Sequence, residues 1–377
     1  MPPARLHCTL VVLAASSGIS TGSLAQGASA RDVSDRLACS RCTIVRTSVA
    51  TLHSAVPEGE IDEKPLAVRL SPLGEYWILS QARPPRVYDT HGAFRRAVGG
   101  SGSGPGEFLS TDDVVWLPGD STLVFDGLNR RGTVISRDDR PLRSIQLPAN
   151  FLNSVVLTWP TRVLSSARIS TPAAAGHALH FVNFAGPTAT VDGSFSPAQG
   201  VLRPSVMSST YHFVERTPTG RIFSATPGSF KVFEWMTSGH VKETLVRRAT
   251  WFAEPSERAL GTPEQPPSAA VVALHVDDEG LIWLYIRIPA PQWREAWARI
   301  PPGAKEVSLR QIEWTRLFNT RLEVIDAARG EVLSRTDIQG LVLSAMHGGL
   351  AAVYGTSVLG DPEIRIERLR LRRDGQP

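Results

Sequence analysis

The chain has 377 residues, 42% of them hydrophobic and 20% charged, with 40 Lys and Arg set against 36 Asp and Glu for a formal charge of +4. That length and balance suit a folded globular protein and exclude a disordered or fibrous one. The near-neutral charge offers no warrant for nucleic-acid binding, and 31 Gly and 28 Pro point to many turns and little long helix.

The first element in the chain reads as an export signal. Arg5 is the only charge before residue 25, the apolar residues are densest from Leu10 to Ala15, and Ser23-Leu24-Ala25 ahead of Gln26 has the small-x-small pattern of a cleavage site. Ala28-Ser29-Ala30 is a second cleavage candidate. Ser16, Ser17, Gly18, Ser20, Thr21, Gly22 and Ser23 make the run too polar for a membrane span of about 20 apolar residues. The expected organisation is a signal over 1–25 (as late as 30), a linker over 26–42, a repeat domain over 43–373 and a tail over 374–377. The expected compartment is periplasmic or extracellular, with no transmembrane segment. Cys39-Ser40-Arg41-Cys42 fits it: two cysteines this close in an oxidising compartment are expected to form a small disulfide, a redox pair and two free thiols being the alternatives. Zinc would need a second ligand pair, and no Cys is left to supply it.

From Pro65 onward one grammar recurs: an apolar strand, a tight turn, a second apolar strand, then a more polar hairpin. The strand pairs open at Pro65–Leu70 with 75–79, Asp113–Leu117 with 121–126, Ser154–Leu157 with 162–164, Tyr211–Val214 with 220–224, Val271–Val276 with 280–284, and Leu341–Ser344 with 350–354. Six units of roughly 40–60 residues predict four-stranded blades around a channel. Thr43–Leu52 has strand propensity yet precedes the first unit, so it is expected to complete the sixth blade beside Ile364–Leu371. The fold expected is therefore all-β, a six-bladed β-propeller of four-stranded antiparallel blades, its ring closed by N- and C-terminal strands. A pair of β-sandwiches explains the recurrence less well.

Between the first two units lies Gly99-Gly100-Ser101-Gly102-Ser103-Gly104-Pro105-Gly106-Glu107-Phe108. It resembles the glycine-rich GPGEF linker of NHL-repeat propellers, and Asp126, Asn129 and Arg130 resemble the D-x-x-N-x-R signature that follows it. The resemblance implies the propeller fold and says little about activity; the order of elements is also similar to secreted bacterial six-bladed propellers of unassigned role. The same glycines lack the Gly-Lys-Ser/Thr ending of a phosphate loop, so a tight inter-blade turn is expected of them.

Residues with chemistry in them are scattered. His177 and His180 are three apart on an expected strand, which sends them to opposite faces. Asp277-Asp278-Glu279 reads as a solvated hairpin turn. Asp112 and Asp113 open an inner strand, and His212, His275 and His347 fall in or beside inner hairpins where they could meet at one end of a channel. An insertion over about 288–320 in the fifth blade carries Trp293, Trp297 and Trp314, with a short helix expected over 307–318 that either caps the blade or forms an aromatic lid. No catalytic, cofactor or metal set emerges. The expected role is a monomeric binding module for a protein, peptide or glycan. The alternative is a metal-dependent hydrolase or lyase, because some six-bladed propellers hold calcium or zinc in the channel; Asp126, Asn153 and Asp192 are its candidate ligands.

Overall fold

A computed structural model describes residues 29–61, 63–149, 152–167, 169, 171, 174–196, 211–252, 260–298, 300 and 311–373, without the side chains of Leu152 and Asn153. The expected signal peptide lies almost wholly outside these residues, as does the tail.

Two strands precede the repeats: β1 (Ser29–Val33) and β2 (Cys42–Leu52). The first blade is β3 (Ala67–Leu70), β4 (Tyr76–Leu79), β5 (Arg86–Tyr88) and β6 (Phe94–Ala97). A short parallel pair, β7 (Gly100–Ser101) and β8 (Glu107–Phe108), leads into the second, β9 (Thr111–Leu117), β10 (Ser121–Asp126), β11 (Arg131–Ile135) and β12 (Pro141–Gln146). The third comprises β13 (Leu152–Trp159), β14 (Arg162–Ala167), β15 (Leu179–Asn183) and β16 (Thr190–Phe195). The fourth comprises β17 (Phe213–Arg216), β18 (Ile222–Ala225), β19 (Lys231–Trp235) and β20 (Val241–Arg247). The fifth has β21 (Ala270–Val276), β22 (Ile282–Pro289), β23 (Phe318–Asp326) and β24 (Glu331–Ile338), and the last has β25 (Leu341–Met346), β26 (Leu350–Thr356) and β27 (Pro362–Arg373). The protein is a six-bladed β-propeller.

Each blade is an antiparallel meander whose middle strands are buried on both faces, which is why they read as unbroken apolar runs such as Tyr76-Trp77-Ile78-Leu79. Apolar clusters fill the gaps between neighbouring blades; one joins Trp77, Leu79 and Val87 of the first to Val114, Val124 and Ile135 of the second. The ring closes as the strand propensities predict: β2 pairs with β27 from Cys42 opposite Arg373 to Leu52 opposite Ile364, making the N-terminal strand the outer strand of the last blade.

Two features differ from expectation. Inside the segment read as a linker, β1 adds to the outer edge of the fourth blade in parallel with β20, Ser29 opposite Glu243 and Val33 opposite Arg247. Ser-Ala-Arg-Asp-Val has no strand signal because it lies at an edge with only Val33 buried. In the fifth-blade insertion, residues 301–310 lie outside those described, so the first part of the helix expected over 307–318 falls there; the described part holds one turn, Trp314–Leu317, before β23 begins at Phe318. Cys39 and Cys42 form the expected disulfide.

Candidate functional site

The innermost strands β3, β9, β13, β17, β21 and β25 neighbour one another in a closed ring around a cavity of about 1560 Å³. An innermost strand has one unpaired edge, and here that edge is capped by side chains of adjacent blades. Val68 N–H donates to Ser344 Oγ at 3.0 Å, Val155 N–H to Asp113 Oδ2 at 2.8 Å, and Val214 N–H to Ser154 Oγ at 2.6 Å. Ser154 reaches across because its own backbone is left-handed, with φ at 49°. Arg69 on β3 forks onto Asp113 on β9, with Nε–Oδ1 at 2.8 Å and Nη2–Oδ2 at 3.0 Å. Asp113 is fully buried, so one carboxylate ties three successive blades. Farther round, Glu215 on β17 meets His275 Nδ1 on β21 at 3.1 Å, and the His275 ring stands 6.2 Å from that of His347.

The end of the cavity near the starts of the inner strands is cationic and aromatic. Lys64, Tyr211, Arg287 and Trp314 line it, encircled by protein while keeping part of their surface open. Lys64 Nζ donates to the Pro65 carbonyl at 3.0 Å and sits 5.2 Å from the centre of the Trp314 ring. Burial, then the positive charge of Arg287, holds the Lys64 ammonium down to about 8. Burial lowers Arg287 to about 10 and pushes the Tyr211 phenol up. Asp112, on the same lining, is raised to about 7, by burial first and then by the charges of Asp126 and Asp113, against the hydrogen bond from Ser110. Trp293 and Trp297 are not on the cavity lining; they pack with Ile312, Leu317 and Leu341 against the blade, and among the described residues of the insertion Trp314 lines the channel.

The residues singled out from the sequence divide sharply. The glycine-rich segment is an inter-blade clamp: Gly100 N–H donates to Gly106 O at 3.1 Å, Gly104 N–H to Glu107 Oε2 at 2.7 Å, and Phe108 is buried between the first two blades. Gly99 is required there, because with φ at +78° a Cβ on it would lie 2.1 Å from Gly106 O. Pro105 sits in the turn between Gly102 and Glu107. Asp126 is fully buried and accepts from the amides of Leu109, Ser110 and Asn129 and from Asn129 Nδ2, while Asn129 also donates to Gly102 O. Arg130 turns the chain with φ at 49° and donates its amide to Gly127 O. These residues build the frame that carries Asp112 and Asp113.

Of the three candidate metal ligands, Asp126 is thus committed to backbone amides, Asp192 is on β16 at the far edge of its blade, 3.6 Å from Arg162, and the Asn153 side chain lies outside the described residues. Among the described residues no three His, Cys, Asp or Glu side chains converge as metal donors. His275 and His347 do meet, but His212 is buried on Ser224 Oγ at 3.0 Å. His180 bonds Ser194 and the Ala167 carbonyl. Asp277 caps its own hairpin by accepting from Glu279 and Leu281 amides and from Trp283 Nε1. Lys64, Arg69, Tyr211 and Arg287 were not singled out. The chain has only four lysines, Lys64, Lys231, Lys242 and Lys305, and nothing in the local sequence sets Lys64 apart from the two at the starts of β19 and β20.

No protein-family model matches the chain, and no curated protein is similar to it. Solved structures are similar in fold. A protein described as a "Putative exported protein" from Bacteroides fragilis is 11% identical with a TM-score of 0.57, covering 90% of this chain and 99% of its own. A member of the DUF4221 family from Bacteroides vulgatus is 8% identical with a TM-score of 0.60, covering 88% and 99%. Both likenesses concern the fold. Among the described residues no helix is long and apolar enough to cross a membrane.

Proposed function

We propose that this protein is an exported binding module that holds its ligand in the propeller channel, at the end where Lys64, Tyr211, Arg287 and Trp314 meet. One observation carries the reading: a cavity of about 1560 Å³ is lined at one end by the rings of Tyr211 and Trp314 together with Lys64 and Arg287, apolar surface with polar groups to orient a ligand. Two of the conspicuous acids, Asp113 and Asp126, are spent on holding the framework together. Export is supported by the leader-like sequence of the first 25 residues and by the Cys39–Cys42 disulfide.

The test is a binding screen of the purified, exported protein against glycan and peptide arrays, repeated with Trp314→Ala. The expected outcome is retention of one ligand class by the wild type and at least tenfold weaker retention by the variant at unchanged melting temperature. Substrate turnover that depends on channel residues would overturn the reading.

A further inference from the structure

Lys64 and Arg69 both line the channel, and the fold uses them differently. Arg69 is forked onto the Asp113 carboxylate and braces two blades. Among the described residues no carboxylate pairs with Lys64; its ammonium gives one hydrogen to the carbonyl of its own neighbour, Pro65, at 3.0 Å. The wall beside it is aromatic. Lys64 Nζ is 5.2 Å from the centre of the Trp314 ring, and Tyr211 and Phe213, edge to face with ring centres 4.9 Å apart, line the same cavity.

Such a setting favours the amine over the ammonium. One backbone acceptor and a ring face return only part of the hydration that a buried cation gives up, and burial above all holds the group down to about 8. At pH 7.5 about a quarter of an amine like this is unprotonated, against about a thousandth for an ordinary lysine. A neutral amine on a cavity wall is a nucleophile, which the guanidinium of Arg69 never becomes. Among electrophiles, aldehydes and ketones add to an amine reversibly and need no activation, so a site built on them can release its ligand as well as hold it. The flat walls decide the rest of the ligand, because an apolar, planar body buries its faces against rings.

We infer that this end of the channel is a site for carbonyl compounds, an aldehyde or ketone whose flat apolar body lies against Trp314 while Lys64 Nζ holds its carbonyl carbon as an imine. The nitrogen lone pair forms the N–C bond, the carbonyl oxygen collects both amine hydrogens and leaves as water, and hydrolysis reverses the step without an oxidant or reductant. The inference rests on the reading of the channel as a binding site and adds the chemical class of its ligand.

The test is imine trapping on the whole protein. Purified protein is incubated at pH 7.5 with benzaldehyde or glyceraldehyde and cyanoborohydride, which reduces any imine to a stable amine, and peptide mass mapping follows each of the four lysines. With benzaldehyde, Lys64 is expected to be labelled at least tenfold faster than Lys231, Lys242 or Lys305, at a rate that saturates as the aldehyde fills the site. Trp314→Leu is expected to slow benzaldehyde labelling of Lys64 at least fivefold at unchanged melting temperature, and to leave glyceraldehyde labelling as it was. Lys64 labelling no faster than at the other lysines overturns the inference. So does a rate that rises without saturating, which marks a reactive amine without a site; this arm uses the wild type and stands even where the variant folds poorly. Equal labelling of Lys64 by the two aldehydes overturns the flat-body assignment. Retention of a ligand on the arrays without preferential Lys64 labelling sinks this inference alone, whereas blank arrays together with unselective labelling sink the binding-module reading with it.

Discussion

Asp112 and His212 hold opposite stakes in pH. Burial raises the Asp112 carboxyl to about 7 in the folded protein, and burial lowers the His212 imidazole to about 3. For Asp112 the folded state holds its proton more tightly than the unfolded chain, so its contribution to stability is present in acid and is lost as pH rises from about 3.8 to about 7. For His212 the unfolded chain is the better base, so stability is lost as pH falls from about 6.5 to about 3. Between pH of about 4 and 6.5 the two slopes oppose each other and the wild type is expected to be insensitive to pH through these groups. Asp112→Asn is expected to stabilise the protein by roughly 2–4 kcal/mol at pH 8, to do little near pH 4, and to uncover the His212 acid slope. Melting curves of wild type and variant across that range check it; a variant no more stable at pH 8 would refute the assignment. Neither shift was legible in the sequence. A histidine beside Tyr211 reads the same buried or exposed, and the Asp112 carboxyl is raised because the tertiary fold first buries it and then brings the charge of Asp126 near it, beside its neighbour Asp113.

At the scale of elements, strands with both faces buried announced themselves, while exposed strands divided: β2, with its β-branched residues, was legible and two others were not. Tyr76–Leu79 and the 280–284 run that opens β22 were plain; β16, with Thr190-Val191-Asp192-Gly193, and β1 were not. The pairing of β1 with β20 bears on export. Cleavage after Ala30 would remove Ser29 and Ala30 and with them the pairs to Glu243 and Thr244, whereas cleavage after Ala25 keeps the whole strand together with the Arg31–Glu243 ion pair at 2.8 Å. The mature protein is accordingly expected to begin at Gln26, which intact mass or N-terminal sequencing of secreted material would establish; a start at Arg31 would mean that the strand is dispensable.

The molecule as a whole depends on joints between blades, since a ring has no single core. Apolar clusters fill those joints, and polar bridges cross them. The fourth and fifth blades and the N-terminal segment meet at Arg247, buried beside Glu323 at 3.0 Å and also paired with Asp35. On the channel side the corresponding joint is Asp113. Replacing Asp113 with Ala strips the partner from Arg69 and from the Val155 amide, and is expected to cost about 3 kcal/mol, since the Arg69 head keeps some access to channel water. Hydrogen exchange would locate the damage: faster exchange at Val155 and neighbouring β13 amides, spreading to the adjacent blades. Loss confined to the second blade would mean that the joint is apolar rather than polar.

The sequence by itself determined the blade count and the closure of the ring by residues 43–52, because these rest on alternation and turn chemistry along the chain, and it favoured the Cys39–Cys42 disulfide through spacing. The tertiary structure alone decided which charges face the channel. Lys64, Arg287 and Trp314 are separated by hundreds of residues or by a long insertion, and only the radial arrangement of the blades brings them to one mouth. It also decided which conspicuous acids are structural, since a carboxylate such as Asp126 reveals its task only through the amides that fold onto it.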